Sequence, residues 1–196
     1  MIYMLLKVIM FPFMLIVLRP RVKGYKNLFF RGPAIIVSNH LSLPDPIFIG
    51  FLCPRMISFM AKQELFQKPV QRFFLNKCMH AFPVDRDQAD MASLKKAIAV
   101  LEAGNIFGIF PEGRRSVTGE MDEAEKGAAF LALRCKVPII PVYADPRSNR
   151  KLRVNVVIGE PMDPQAIAAA YKGKAIDVVT MAIADKLQQL RLELER

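Results

Sequence analysis

The chain has 196 residues, is 53% hydrophobic and carries a formal net charge of +10, which is enough length for one domain with a sizeable core. Residues 1–44 hold six Lys or Arg and no acid, pointing to an anionic membrane surface or an anionic ligand; nucleic acid is excluded as a partner, because there is no Trp, no helix-turn-helix or zinc signature and no basic–aromatic interleaving. Cys53, Cys78 and Cys135 are too scattered for a disulfide framework or, with only two histidines, a metal site, and are expected to be reduced and buried as in a cytosolic protein.

Residues 1–18 are apolar except for Lys7, with Pro12 in the middle, and are barely long enough to span a bilayer. No small-residue cleavage site follows. Arg19-Pro20-Arg21-Val22-Lys23 does, and such cations hold the following chain on the cytoplasmic side. The expectation is a kinked, membrane-associating helix over residues 1–20, inserted into one leaflet at the cytoplasmic face of the inner membrane, with a full span as the alternative. Residues 21–196 then form the folded domain.

Residues 22–28 read as a strand broken at Gly24, 34–37 as a fully buried strand and 45–52 as a short apolar helix. A strand over 56–61 ends at Lys62. Residues 64–79 read as a helix kinked or broken at Pro69, and 81–84 as a strand delivering Asp85 and Arg86. Met91, Leu94, Ile98 and Leu101 recur at helical spacing, with Asp90 as the cap and Gly104 as the stop. A buried strand over 106–110, a helix over 124–135 and a strand over 138–143 follow. A further strand over 152–158 comes after a basic loop with Arg147, Arg150, Lys151 and Arg153. Ile176, Val179, Ile183, Leu187, Leu190 and Leu194 mark a last amphipathic helix. The alternation predicts a single α/β domain with a mainly parallel central sheet flanked by helices.

The most informative stretch is Ala-Ile-Ile-Val-Ser-Asn-His-Leu-Ser-Leu-Pro-Asp-Pro over residues 34–46. A buried strand stops at Ser38-Asn39, and His40 is the first strong proton acceptor beyond it. Asp45 follows five residues later, and Pro46 suits the first position of a helix that Asp45 would cap. Ligands bind at the carboxyl ends of strands in open α/β sheets. A carboxylate accepting from one imidazole nitrogen fixes the tautomer, and the other nitrogen can then take a proton from a substrate hydroxyl. The competing reading is structural, with Asp45 only a cap and His40 only a strand end. His80 and Asp85 share the same spacing, but on a strand they would point to opposite faces about 16 Å apart. The His40 pair lies on a turn, where five residues can fold back.

A second buried strand, Ile106-Phe107-Gly108-Ile109-Phe110, runs into Pro111-Glu112-Gly113-Arg114-Arg115-Ser116. Gly113 permits close backbone approach to a ligand, and two arginines there suit a phosphate. This is not a phosphate-binding P-loop: the Lys and the following Ser or Thr are missing, and Pro111 removes a cradle N–H. No nucleophile elbow and no dinucleotide fingerprint occur.

Four blocks now stand in order: His40 through Asp45, Phe82-Pro83-Val84-Asp85-Arg86, Phe110 through Ser116, and Val137-Pro138-Ile139-Ile140-Pro141-Val142. Together with Lys62 and the Lys126-Gly127-Ala128-Ala129 stretch, this resembles the glycerolipid acyltransferases related to 1-acylglycerol-3-phosphate acyltransferase. The resemblance covers residues 22–142; it departs at Arg114, where the family usually has Thr. It implies transfer of a fatty acyl group from acyl-CoA or acyl carrier protein to the sn-2 hydroxyl of lysophosphatidic acid, giving phosphatidic acid, with no cofactor and no metal. It makes His40 the base, oriented by Asp45, and gives the acceptor phosphate to Lys62, Arg86 and Arg115. For each cation the competing reading is a surface charge or salt bridge. Glu112 would hold one of these arginines or the loop, backbone N–H groups near Gly113 would stabilise an oxyanion, and Pro138 and Pro141 would shape the acyl or thioester region. Three other functions stay open: another acceptor, such as glycerol 3-phosphate or a different lysolipid, hydrolysis of the thioester, and lipid binding without catalysis.

Overall fold

The computed structural model describes residues 19–40, 45–84, 91–110, 126–145 and 154–195, together with Lys7, Val8, Pro12 and Ile16. Seven strands form one sheet: β1 (Arg21–Lys23), β2 (Ala34–Ser38), β3 (Ile57–Lys62), β4 (Phe82–Val84), β5 (Ile106–Ile109), β6 (Ile139–Ala144) and β7 (Asn155–Ile158). Their order is β1-β7-β6-β2-β5-β3-β4. All neighbours pair in parallel except β6 with β7. The helices are α1 (Asp45–Leu52), α2 (Pro69–Phe73), α3 (Met91–Glu102), α4 (Gly127–Cys135), α5 (Pro164–Ala170) and α6 (Ala175–Glu195). The expected α/β domain with a mainly parallel sheet is what forms.

The centre of the sheet explains why residues 34–37 are uniformly apolar. All of β2 is buried, because a parallel strand between two others has helices over both faces. Ile36 joins Ile140, Ile49 and Leu52 in a cluster under α1. Ile35 and Val37 face the other way, onto Leu101 of α3, Leu131 of α4 and Ile183 and Leu187 of α6. α6 is 21 residues long and buries Val179, Ile183, Leu187 and Leu190 along one stripe.

Several expected elements come out differently. The strand read over 22–28 ends at Lys23, and Tyr25–Leu28 is a 3-10 turn. Gly24 forces the break: its φ is 72°, and a Cβ there would sit 2.0 Å from the Ile158 carbonyl oxygen. The helix read over 64–79 is three pieces: a 3-10 turn Gln63–Phe66, then α2, then a π-helical turn Phe74–Cys78. Pro69 starts a new helix instead of kinking an old one. Lys68 before it is extended, and a proline at the first helical position forfeits no hydrogen bond. His80 has φ 46° and stands outside β4, which begins only at Phe82. α5 was not anticipated; Asp163 caps it by accepting from the Gln165 and Ala166 N–H groups at 2.9 and 3.3 Å.

Of residues 1–18 the described ones, Lys7, Val8, Pro12 and Ile16, are helical; the continuous anchoring helix expected there lies outside the described residues. Lys7 donates to the Gly50 carbonyl at 3.1 Å and to the Cys53 carbonyl, at the carboxyl end of α1. Burial of the amine holds its pKa below the usual lysine range, an effect partly countered by Cys53. Among the described residues no helix is long and apolar enough to cross a membrane.

Candidate active site

The ladder between β2 and β6 ends at Ser38 paired with Val142. One residue on, Asn39 takes over with its side chain: its amide donates to the Ala144 carbonyl at 2.9 Å and accepts from the Ala144 N–H at 2.8 Å. Both residues are buried. This two-point clamp holds the chain at the carboxyl end of β2 just where His40 leaves it. A buried backbone N–H and C=O need partners, and Asn39 supplies both.

His40 and Asp45 meet across the turn. Nδ1 of His40 lies 3.3 Å from Oδ2 of Asp45, and each side chain is only 11% exposed. Asp45 lies in the first turn of α1, where the helix dipole favours negative charge. Nδ1 facing a carboxylate must carry the ring proton, which leaves Nε2 as a proton acceptor. Phe110 stacks on the imidazole with ring centres 4.2 Å apart at 25°. Phe59 lies behind it, 6.0 Å from Phe110 at 13°. Gly108 makes room for that second ring, since a Cβ there would come within 2.2 Å of Phe59 Cε1.

The imidazole forms part of the wall of a cavity of about 510 Å³, within the usual range of small-molecule sites. Phe59, Phe110, Leu75 and Ala81 are among its walls. Among its described lining residues only His40, Lys62 and Gln71 carry hydrogen-bonding side chains. An apolar chamber with one imidazole in its wall suits a long hydrocarbon ligand that reacts at one end.

Comparison with known proteins agrees. The family model described as Acyltransferase matches residues 19–145. A 1-acyl-sn-glycerol-3-phosphate acyltransferase of Bacillus subtilis is 34% identical over 187 residues, 91% of this chain and 92% of the relative. The enzyme of the same name from Streptococcus pneumoniae is 32% identical over 163 residues, covering 80% of this chain and 60% of the relative. The chain belongs to the 1-acylglycerol-3-phosphate acyltransferase family. It is a transferase of that type. The crystal structure of the 1-acyl-sn-glycerophosphate (LPA) acyltransferase PlsC from Thermotoga maritima shares its fold, with a TM-score of 0.73 at 24% identity over 90% of this chain and 72% of that one.

The acyltransferase fold brings three of the expected site residues to one place: His40, Asp45 and Lys62. Lys62 ends β3 and lines the same cavity as His40. It also forms an ion pair with Glu64, Nζ to Oε1 2.8 Å, with both side chains about half exposed. Its charge is therefore shared with a carboxylate and screened by water. Arg86, Glu112, Gly113 and Arg115 lie outside the described residues, as do Asp85, Asp90 and residues 146–153. His80 is not among the described residues lining the cavity; burial is the main cause holding its pKa below the usual histidine value. Cys53 is buried and Cys135 partly so, and burial raises both thiols above their ordinary pKa.

Sequence reasoning missed Asn39, Phe59 and Gly108 as parts of this site, and used Phe110 only as a member of its block. Asn39 did leave a signal: a polar residue directly between a buried strand and the candidate base. Its partner, 105 residues downstream, left none.

Proposed function

We propose that this acyltransferase moves a fatty acyl group from an acyl thioester, acyl-CoA or acyl carrier protein, to the sn-2 hydroxyl of lysophosphatidic acid, giving phosphatidic acid. The observation that carries the reading is His40, paired with Asp45, in the wall of an apolar cavity. An alcohol near neutral pH is a poor nucleophile and needs a base in contact. Nε2 of His40 takes the hydroxyl proton as the oxygen attacks the thioester carbonyl. Asp45 stays ionised and stabilises the imidazolium. When the tetrahedral intermediate collapses the C–S bond breaks, and the imidazolium protonates the departing thiolate. No acyl-enzyme, cofactor or metal is needed in this scheme. The cavity takes the hydrocarbon chain and Phe110 keeps the ring aimed into it.

In the same reading Lys62, Arg86 and Arg115 hold the acceptor phosphate, with Glu112 and Gly113 shaping the loop and the oxyanion site. Residues 1–20 associate with the membrane and residues 21–196 catalyse at its cytoplasmic face. Val8, Pro12 and Ile16, each helical and exposed, support that assignment.

The test is purified protein given a panel of acceptors (lysophosphatidic acid, glycerol 3-phosphate, other lysolipids) and both donor classes, with products identified by mass. Phosphatidic acid formation, with thiol release that depends on the acceptor, is the expected result. Thiol release without an acceptor would make the protein a thioester hydrolase. A preferred acceptor other than lysophosphatidic acid would move the substrate assignment while leaving the chemistry intact.

A further inference from the structure

Between the 3-10 turn Gln63–Phe66 and β4, the chain departs from the compact pattern of the domain. Residues 65–84 contain Lys68, Arg72 and Lys77 and no Asp or Glu. Their helical part is α2 and the π-helical turn after it. Val70, Phe73, Phe74 and Lys77 fall at spacings of three and four, the pattern of one helix face. That face is not buried: Val70 is 81% exposed, Phe73 56% and Phe74 39%. Large apolar groups gathered this way on a monomer's surface mark an interaction site.

Two of these residues do a second job. Val70 and Phe74, with Gln71 and Leu75, also line the cavity that His40 enters. The same short helix is thus outer surface and inner wall, and the chamber reaches the surface along it. An apolar rim on an apolar chamber, with three cations and no acid among residues 68–77 and the one acid just before them, Glu64, paired with Lys62, matches a lipid leaflet with anionic headgroups better than a protein partner. A protein would offer no hydrocarbon to continue into the chamber.

We propose that residues 68–77 form a membrane-contacting surface separate from residues 1–20, seated on an anionic bilayer, and that a lipid acyl chain slides between leaflet and cavity across Val70 and Phe74. Phe73 inserts into the leaflet and Lys68, Arg72 and Lys77 lie at the headgroups. The proposal rests on the acyltransferase reading for the identity of the chain that enters.

The test uses the full chain, wild type and a Phe73→Ser/Arg72→Gln/Lys77→Gln variant, none of whose altered residues lines the cavity. Flotation with phosphatidylcholine vesicles with and without phosphatidylglycerol measures binding. Each basic residue near an anionic surface is worth about fivefold, so the variant should bind anionic vesicles at least tenfold more weakly. Its turnover of vesicle-embedded lysophosphatidic acid should fall in proportion. Turnover of a short-chain, monodisperse acceptor with a short-chain donor should stay within twofold. Hydrogen–deuterium exchange on the wild type keeps residues 1–20 from masking the result: amides of 68–77 should gain protection from anionic vesicles and little from neutral ones. Unchanged exchange there overturns the proposal. So does an equal fall in both activities, which would make the segment a structural wall, and so does a wild-type dimer that the variant abolishes, which would make a second copy the occupant. If wild type turns over neither acceptor, the acyltransferase reading is lost, while exchange and flotation still judge the surface.

Discussion

His40 and His80 each stand five residues before an aspartate, and their settings could hardly differ more. His40 follows a strand buried along its whole length, beside a side chain that clamps the next strand, with a carboxylate at 3.3 Å and a ring stacked on its face. His80 follows a π-helical turn, in left-handed backbone with φ 46°, two residues ahead of a three-residue strand. The difference teaches that the spacing of a motif says little by itself. What makes an imidazole a usable base is the number of independent contacts that fix its tautomer and direction.

The comparison breaks most sharply at His40. His40→Ala should lower acyl transfer by about 10²–10⁴-fold, the usual worth of a general base, with an unchanged circular dichroism spectrum. A loss of less than tenfold would remove His40 from the chemistry. Asp45→Asn comes next. An amide can present its N–H to Nδ1 and turn the tautomer around, so kcat should fall about 10²-fold or more while KM moves little. An Asn variant with near-normal kcat would reduce Asp45 to a helix-start residue.

The clamp is the third target. Asn39→Ala leaves the buried N–H and C=O of Ala144 without their partner. The expected cost is roughly 1–3 kcal/mol for each group, read as a lower urea midpoint at unchanged m-value, together with reduced kcat as the imidazole loses its seat. A smaller effect is expected from the aromatic stack. Gly108→Ala drives a Cβ into Phe59 and should cost about 1–3 kcal/mol by overpacking. Phe110→Leu keeps the apolar wall but loses the stacked ring, so kcat should fall about tenfold with donor KM nearly constant. If Phe110→Leu turns over normally, Asp45 alone orients the base.

The smallest effect belongs to His80. His80→Ala should change acyl transfer less than about twofold, far below the general-base range. Its signature is in stability against pH. Its folded pKa lies below the ordinary 6.5, chiefly through burial. The unfolded chain therefore binds the extra proton first, and wild-type stability declines as pH falls below about 6.5. Removing the group should flatten that slope; an unchanged slope in urea titrations between pH 5 and 7 would show that other groups set it.

Much of this was legible in the chain because the sheet's centre is apolar on both faces. β2 and β5 announce themselves as short hydrophobic runs, and α6 by its stripe of Val179, Ile183, Leu187 and Leu190. α1 was legible from Asp45-Pro46 and the apolar run that follows. The Asp163-Pro164 pair carries the same signal for α5, but an Ala-rich seven-residue helix offers little periodicity beside it. The region from Gln63 to Cys78 was misread because Leu65, Phe66, Val70, Phe73 and Phe74 mimic a continuous amphipathic stripe, while Pro69 restarts the backbone. The Asn39 clamp and the Phe110–Phe59 stack were invisible because each joins strands that only the tertiary fold brings together.

The length of the Asn39–Ala144 connection has a consequence in time. The two residues are 105 positions apart, so a chain emerging from the ribosome at about 5–20 residues per second carries His40 for several seconds before β6 exists to receive its neighbour. Contacts that close so long a loop form late, since chain entropy must be lost before they return any stabilisation. The last segment of sheet to zip beside β2 is thus also the one that seats His40. Nascent or half-folded chains, with their apolar segments already out, have no seated imidazole until β6 docks beside β2.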